Sequence, residues 1–436
     1  MNRKVFENII DWDKENNKKI LVLHGAPCTG KTYLALEFAK KFYNSYLYLN
    51  PQNDYKLREA LVELSSQEQP DFHDFLQLFY QIPSEWLNEF LIILDDYDYY
   101  GAIASLIEKL SIETLGFRLI IISTTSPTKR IADNSKVIYV TPLQFDEYLN
   151  AIGSEWYTEI IQAHYQTKKK IPEIVHKEML NLFRDYLRIG GMPAAVNEYL
   201  HTESFDNIPS IHRNIYNTYL SEFERYNESS IVRLRQLLHS VPEQLIKDNK
   251  NYRYNLIRKG ATHNLYRTEL ECLTDLHIVQ KLERADIIID NEKVKMKMHD
   301  NQFRLYPNDS GLFYSLITSS TSEFSEEAEE DSTDTSNDRL FQLLAEAYLL
   351  QTLSQKNIVT SYWESGSMSK LDFISQFDSC ILPIELKYYE NKRSKSLHAF
   401  CQRYPIASHI KFSRQNFETS DNQITCPIYS LFCFEH

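Results

Sequence analysis

The stretch KILVLHGAPCTGKT, Lys19 to Thr32, decides the fold. Ile20 to Leu23 is an uninterrupted apolar run, the pattern of a parallel strand covered on both faces. Gly25, four further residues and then Gly30, Lys31 and Thr32 have the spacing of the P-loop, or Walker A motif. Leu34, Phe38 and Phe42 follow at i, i+4 and i+8, so an amphipathic helix is expected to start near Lys31. Each part has a physical task. Glycines let the backbone turn its N–H groups onto phosphate oxygens, and the helix adds the positive end of its dipole. The expected nucleotide cradle is Gly25, Ala26, Pro27, Cys28, Thr29, Gly30, Lys31 and Thr32. Lys31 would reach the β- and γ-phosphates, a binding and a catalytic task, and the Thr32 hydroxyl would bind Mg²⁺.

Outward from this loop the chain alternates strands and helices. Tyr46 to Leu49 reads as a second strand, Tyr55 to Leu64 as a helix, and Phe90 to Leu94 as a third buried strand ending in Asp95-Asp96. That ending has the Walker B form: Asp95 is expected to hold the Mg²⁺ shell and Asp96 to orient the attacking water. Asp96 stands where ATPases of the additional-strand class usually carry glutamate, one methylene longer, so either slow hydrolysis or reach through a second water is expected. An acidic pair capping a strand is the plainer reading of the same residues. Arg118 to Ser126, RLIIISTTS, is a further strand ending in hydroxyls, of which Ser123 or Thr124 would sense the γ-phosphate unless they merely form the turn.

Beyond Phe145 the pattern is helical to Asn227, with Trp156, Tyr165, Met179, Leu182, Phe183 and Leu187 supplying apolar faces. Residues 228–317 read as a winged helix, with a helix at Asn264 to Leu276 and hairpin strands at Ile278 to Arg284 and Val294 to Met298. Lys247, Lys250, Arg253, Arg258, Lys259 and Arg267, interspersed with Tyr252, Tyr254 and Tyr266, would suit DNA phosphates and sugars, or simply form a solvated face. Residues 318–338 are Ser, Thr, Asp and Glu with almost nothing to bury and read as a flexible acidic linker. After it, a helix (Arg339 to Leu353), strands at Ile358 to Trp363, Lys370 to Gln376 and Cys380 to Lys387, a helix near Ser394 to Arg403, and strands at His409 to Phe412 and Pro427 to Cys433 follow the order of the PD-(D/E)XK nuclease core. Its candidate residues are Asp372, Glu385 and Lys387: two hard oxygen ligands for Mg²⁺ on neighbouring strands, and a lysine two residues after the glutamate, on the same face.

With these segments in order, TPLQFDEYL (Thr141 to Leu149), DYLRIGGMPAAVNEYL (Asp185 to Leu200) and PNDSGLFYSL (Pro307 to Leu316) give the chain from about Lys18 onward a specific likeness. It resembles the bacterial and archaeal AAA-type ATPases fused to a C-terminal restriction-endonuclease-like domain. The resemblance implies that Gly191 and Pro193, in a helical lid, pack on the bound adenine. A glycine cap followed by a proline-started helix describes the same backbone. Two departures stand out. The chain reads ADNSK at Ala132 to Lys136, where family members often carry Gly-Arg, so no trans-acting arginine finger is nominated, with Arg118 and Arg130 as no more than weak stand-ins. Gln342 replaces a glutamate of the first nuclease-domain helix, and Glu346 would substitute only if the helix presents that face.

The expected fold is therefore α/β: a P-loop NTPase with a parallel sheet (1–143) and helical lid (144–227), a winged-helix-like unit (228–317), an acidic linker (318–338) and an α/β restriction-endonuclease-like domain (339–436). At 436 residues the chain is too long for one core. No apolar run approaches the ~20 residues that cross a bilayer, so a cytoplasmic protein without membrane contact is expected. Cys28, Cys272, Cys380, Cys401, Cys426 and Cys433 form no CxxC pair, which argues against zinc and disulfide frameworks. Of the net charge of −13, eight acidic residues between Glu323 and Asp338 account for most, so a nucleic-acid partner is not excluded. The expected function is Mg²⁺-dependent ATP binding and hydrolysis, with DNA association coupled to the nuclease-like module. The alternative is a slow nucleotide switch whose C-terminal module is a dead protein-docking platform. A protein partner and an oligomer fit either.

Overall fold

The computed structural model describes residues 3–15, 20–87, 89–110, 116–290, 293–320, 334–365, 369–377, 380–388, 395–404, 406, 408–420 and 423–434. The acidic stretch expected as a linker falls, for residues 321–333, outside them. The chain divides into two compact units: residues 2–141 with 275–277, and 142–274 with 278–436.

In the first unit the apolar runs become a parallel five-stranded sheet. Its strands are β1 (Ile20–His24), β2 (Tyr46–Leu49), β3 (Leu91–Leu94), β4 (Arg118–Ser123) and β5 (Lys136–Tyr139), in the order β2-β3-β4-β1-β5. β4 therefore stands between the P-loop strand and the strand ending in Asp95. Alternation sorts the side chains onto two cores. Leu21, Leu23, Leu91, Ile93, Ile120 and Ile122 share one with Val5, Ile9 and Trp12 of α1 (Lys4–Lys14) and Leu34 and Phe38 of α2 (Lys31–Phe42). Ile20, Val22, Ile92, Leu94, Leu119 and Ile121 face α3 (Tyr55–Ser65), α4 (Phe72–Tyr80) and α6 (Gly101–Lys109); the short helices α5 (Ser84–Leu87) and α7 (Lys129–Asp133) complete the unit. Each such buried aliphatic side chain contributes roughly 1.5–3 kcal/mol, so the strands that carry the loops rest on a well-buried base.

The second unit opens with helices α8 (Phe145–Ala151), α9 (Glu155–Thr167), α10 (Glu173–Ile189), α11 (Pro193–Thr202), α12 (Ile208–Glu222), α13 (Glu228–Leu245) and α14 (His263–Asp275). A long hairpin follows, β6 (Val279–Asp290) and β7 (Lys293–Pro307), then α15 (Ser310–Ser320) and α16 (Asp334–Gln355). β8 (Val359–Ser365), β9 (Ser369–Phe377), β10 (Cys380–Lys387), α17 (Lys395–Arg403), β11 (His409–Ser413), β12 (Glu418–Ser420) and β13 (Gln423–Pro427) end the chain. All strands of the unit form one mixed sheet, β12-β13-β11-β10-β9-β8-β6-β7.

This corrects two expectations. The hairpin is no separate wing: β6 pairs with β8, Arg284 opposite Tyr362, and Ala285 and Val294 share a core with Trp363, Leu371, Ile374, Leu397 and Phe400. Residues 228–274, 278–317 and 339–436 thus belong to one unit, in which the alternate apolar residues of the hairpin find their cover under α17. Ile428–Cys433, expected as part of a strand, is a 3-10 helix whose Ser430 hydroxyl bonds the Pro427 carbonyl.

The three sequence motifs after residue 140 meet in this unit. The Leu143 N–H donates to the Gly191 carbonyl at 2.7 Å, and the Gly191 N–H donates to Asp309 Oδ2 at 2.7 Å. A Cβ on Gly191 would lie 2.1 Å from the Leu143 carbonyl oxygen, so only glycine fits. Burial pushes Asp309 up to about 6, against the pull of N–H donors from Leu312, Gly191 and Gly311.

Candidate nucleotide-binding site

The loop at the end of β1 is shaped for close approach. A Cβ on Gly25 would lie 2.3 Å from the Val140 carbonyl oxygen, and Gly30, at φ 90°, turns the chain into α2. Ala26 is fully buried, whereas Cys28 is exposed and left-handed at φ 66°. The Thr29 hydroxyl bonds the Ala26 carbonyl at 3.0 Å. Arg3, which sequence reasoning missed, donates to the carbonyls of Thr29 (3.1 Å) and Thr141 (2.6 Å) and so ties the loop to the end of the unit. The Lys31 ammonium lies on the carbonyls of Gly25 and Ala26, 2.8 Å from each. Burial lowers its pKa, while Asp95, Asp96, Asp98 and Cys28 oppose the shift.

Across the loop, the Thr32 hydroxyl donates to Asp95 Oδ2 at 2.7 Å. The Tyr48 hydroxyl donates to the same oxygen at 2.8 Å, and Asp95 Oδ1 accepts from the Asp96 N–H. A hydroxyl and a carboxylate in contact are hard oxygen donors that suit Mg²⁺, which takes few protein ligands and keeps its waters. Asp96 sits at φ 52°, with Oδ2 accepting from Asn50 Nδ2 at 3.1 Å. Tyr48 and Asn50 come from β2 and the turn after it, a contribution no local motif signals.

At the end of β4 the Ser123 hydroxyl is fully buried and donates to the Thr125 carbonyl at 2.8 Å. Thr124 and Thr125 hydroxyls both donate to Asp98 Oδ2. His24, the residue before Gly25, stacks on Tyr139 and lies with Nδ1 3.1 Å from Nε2 of His277. Burial, reinforced by Lys31, lowers the His24 pKa to about 4; burial, then His24 and Lys31, lowers His277 to about 3. Both imidazoles are therefore neutral at pH 7. Arg118, one of the two finger candidates, donates to the Asp13 and Glu15 carbonyls at the C-terminal end of α1, a structural task.

Residues 17–149 match an AAA domain. This match covers the P-loop and the parallel sheet of the first unit. Residues 180–323 match a domain of unknown function (DUF8612). No curated protein matches the chain. Among solved structures, it is similar to a signal transduction ATPase with numerous domains and a tetratricopeptide repeat sensor from Pyrococcus horikoshii, at 16% identity and TM-score 0.29, over 82% of this chain and 50% of that one. It is also similar to PCH-2 of C. elegans (14% identity, TM-score 0.28, 51% of this chain and 64% of that one). A structure of katanin self-assembly gives 15% identity and TM-score 0.23, over 34% and 49%. The chain spans about half the length of the first of these.

Outside the AAA core, Gly191 and Pro193 lie in the second unit, where both backbone polar groups of Gly191 are engaged as described. Pro193 starts α11. Asp372 and Glu385 lie on neighbouring antiparallel strands, each one residue beyond the Phe373–Ile384 pair. Glu346 of α16 is fully buried and accepts from Lys250 (2.7 Å to each oxygen), Tyr306 (2.9 Å) and Gln342 (2.9 Å). Asp372 is held by Arg304 at 2.7 Å. Burial raises the Asp372 pKa, but Lys250, Arg304 and Lys387 outweigh it and keep the carboxylate well below the usual range. Among the described residues no group of three His, Cys, Asp or Glu side chains is placed to hold a metal ion.

The expected DNA-contacting set divides. Tyr266 is fully buried and Tyr252 bonds Ser240 within the core, so neither ring is placed to stack on a base. Lys250 is spent on Glu346, whereas Lys247, Arg253 and Lys259 are exposed. Lys392 and Arg393, between β10 and α17, lie outside the described residues. Among the described residues no helix is long and apolar enough to cross a membrane.

Proposed function

We propose that the chain is a Mg²⁺-dependent ATPase working as a slow nucleotide switch. The observation that carries the reading is the Thr32–Asp95 contact at 2.7 Å beside the P-loop, two oxygen donors already gathered where the ion of a nucleotide–Mg²⁺ complex would sit. The loop N–H groups and Lys31 would bind the phosphates, Thr32 and Asp95 the ion, Asp96 would orient the attacking water, and Ser123 would sense the γ-phosphate. Gly191 and Pro193 would act in the lid. Mg²⁺ would supply charge neutralisation between the β- and γ-phosphates. Slow turnover follows from the shorter Asp96 side chain and from Arg118 being occupied at α1. Lys31→Ala is expected to abolish binding of a fluorescent ATP analogue; binding at wild-type affinity would sink the assignment.

For the second unit, the pairing of Asp372 with Arg304 and the burial of Tyr252 and Tyr266 favour a module that docks a partner without cutting DNA. The second reading, ATP-dependent DNA association, draws on exposed Lys247, Arg253 and Lys259. A salt-titrated DNA-binding assay with and without ATP separates them. Affinity that falls steeply with salt supports DNA, and no affinity at low salt in either state supports the docking module.

A further inference from the structure

Three carboxylates gather around Arg304: Glu364 of β8, Asp372 of β9 and Glu346 of α16. Glu346 is fully buried and Glu364 is largely so. Like charges at such spacing cannot stay ionised together without cations among them. The chain supplies those cations. Arg304 of β7 is buried, donates Nη1 to Asp372 Oδ1 at 2.7 Å, lies 3.7 Å from Glu364 and stacks on Tyr362 at 4.1 Å. Lys250 bonds both oxygens of Glu346 at 2.7 Å. Lys370 reaches Glu364 at 3.3 Å, and Lys387 acts on Asp372 from the end of β10. Three carboxylates paired with Arg304, Lys250 and Lys370 leave the cluster formally neutral, and Lys387 adds positive charge near Asp372.

The geometry points to Arg304 and Lys250 as the resident cations of this cluster, standing where a divalent ion would otherwise neutralise Asp372 and its neighbours. The wild-type chain accordingly takes no divalent ion there, and taking one requires that a resident cation leave. The inference is independent of the nucleotide reading, since it concerns the chain without nucleotide.

The test counts Mn²⁺ bound to the full-length, nucleotide-free protein from the loss of the free-ion signal in electron paramagnetic resonance. Arg304→Gln is expected to bind Mn²⁺ at least about tenfold more tightly than wild type, with the gain lost in Arg304→Gln/Asp372→Asn. Arg304→Gln that keeps its circular dichroism and melting profile yet gains no Mn²⁺ overturns the proposal. Should that variant fail to fold, Lys250→Gln provides the second route. It frees Glu346, and a gain of Mn²⁺ that Asp372→Asn reverses supports the proposal, while folded protein with wild-type binding overturns it. Wild type also decides by itself: tight Mn²⁺ binding that disappears in Asp372→Asn means the cluster was open to metal from the start.

Discussion

Asp96 occupies a left-handed backbone position, bonded through its side chain to Asn50, directly after the carboxylate that meets Thr32. A position this constrained holds a short carboxylate where a water would be oriented, so its charge and not its bulk is what hydrolysis would use. Asp96→Asn is expected to lower phosphate release about 10²-fold or more while leaving nucleotide affinity near wild type. Turnover within twofold of wild type would remove Asp96 from the mechanism. The His24–His277 pair carries a pH dependence. Both imidazoles have pKa values depressed by burial, to about 4 and about 3, against roughly 6.5 in an unfolded chain. Between pH 6.5 and 4 the unfolded chain binds protons that the folded unit refuses, so stability is present above pH 6.5 and is lost as pH falls toward 4. The His24 shift alone would be worth about 3 kcal/mol at most. Urea midpoints of the first unit are expected to fall from pH 7 to pH 5, and His277→Gln to flatten that fall; parallel slopes would exclude the pair as its source.

At the scale of elements, the motif spacing made the P-loop, β1 and α2 legible, because phosphate binding needs those residue types within one turn of chain. Arg3, Tyr48, Asn50 and His277 were not legible, since each reaches the site from a distant segment and no local pattern marks it. The GG-x-P segment shows the other limit. Its glycines were visible and their task was not, because Leu143 and Asp309, which require them, lie 48 and 118 residues away in sequence. Gly191→Ala places a methyl against the Leu143 backbone with no flexible group to yield. It is expected to cost the second unit about 2–4 kcal/mol, read from denaturant unfolding. A variant of wild-type stability that has lost nucleotide binding would instead put Gly191 at the adenine. The hairpin was misjudged for a related reason: alternation in β6 and β7 is equally compatible with a free-standing wing, and only the β6–β8 pairing, between residues 78 apart in sequence, assigns its apolar face to the core under α17.

For the whole molecule, the division into two compact units means that a ligand of the P-loop acts on one of two cores. A ligand that binds only the folded first unit stabilises it by mass action, about 2.7 kcal/mol when free ligand is 100 times its dissociation constant. ATP with Mg²⁺ is therefore expected to raise the unfolding transition reported by the environment of Trp12, which is fully buried between α1 and the first sheet. The reporter variant keeps Trp12 and replaces the other tryptophans, Trp86, Trp156 and Trp363, by phenylalanine. Lys31→Ala in that background is expected to abolish the shift. A transition of the second unit, followed through a probe at Cys401 beside its sheet core, then reads coupling directly. If it stays fixed while the first moves, nucleotide energy is confined to the AAA core and a switch would need a partner to read it. If both rise together with ATP and neither does in Lys31→Ala, nucleotide binding is felt through the whole chain, which is the behaviour a nucleotide switch requires.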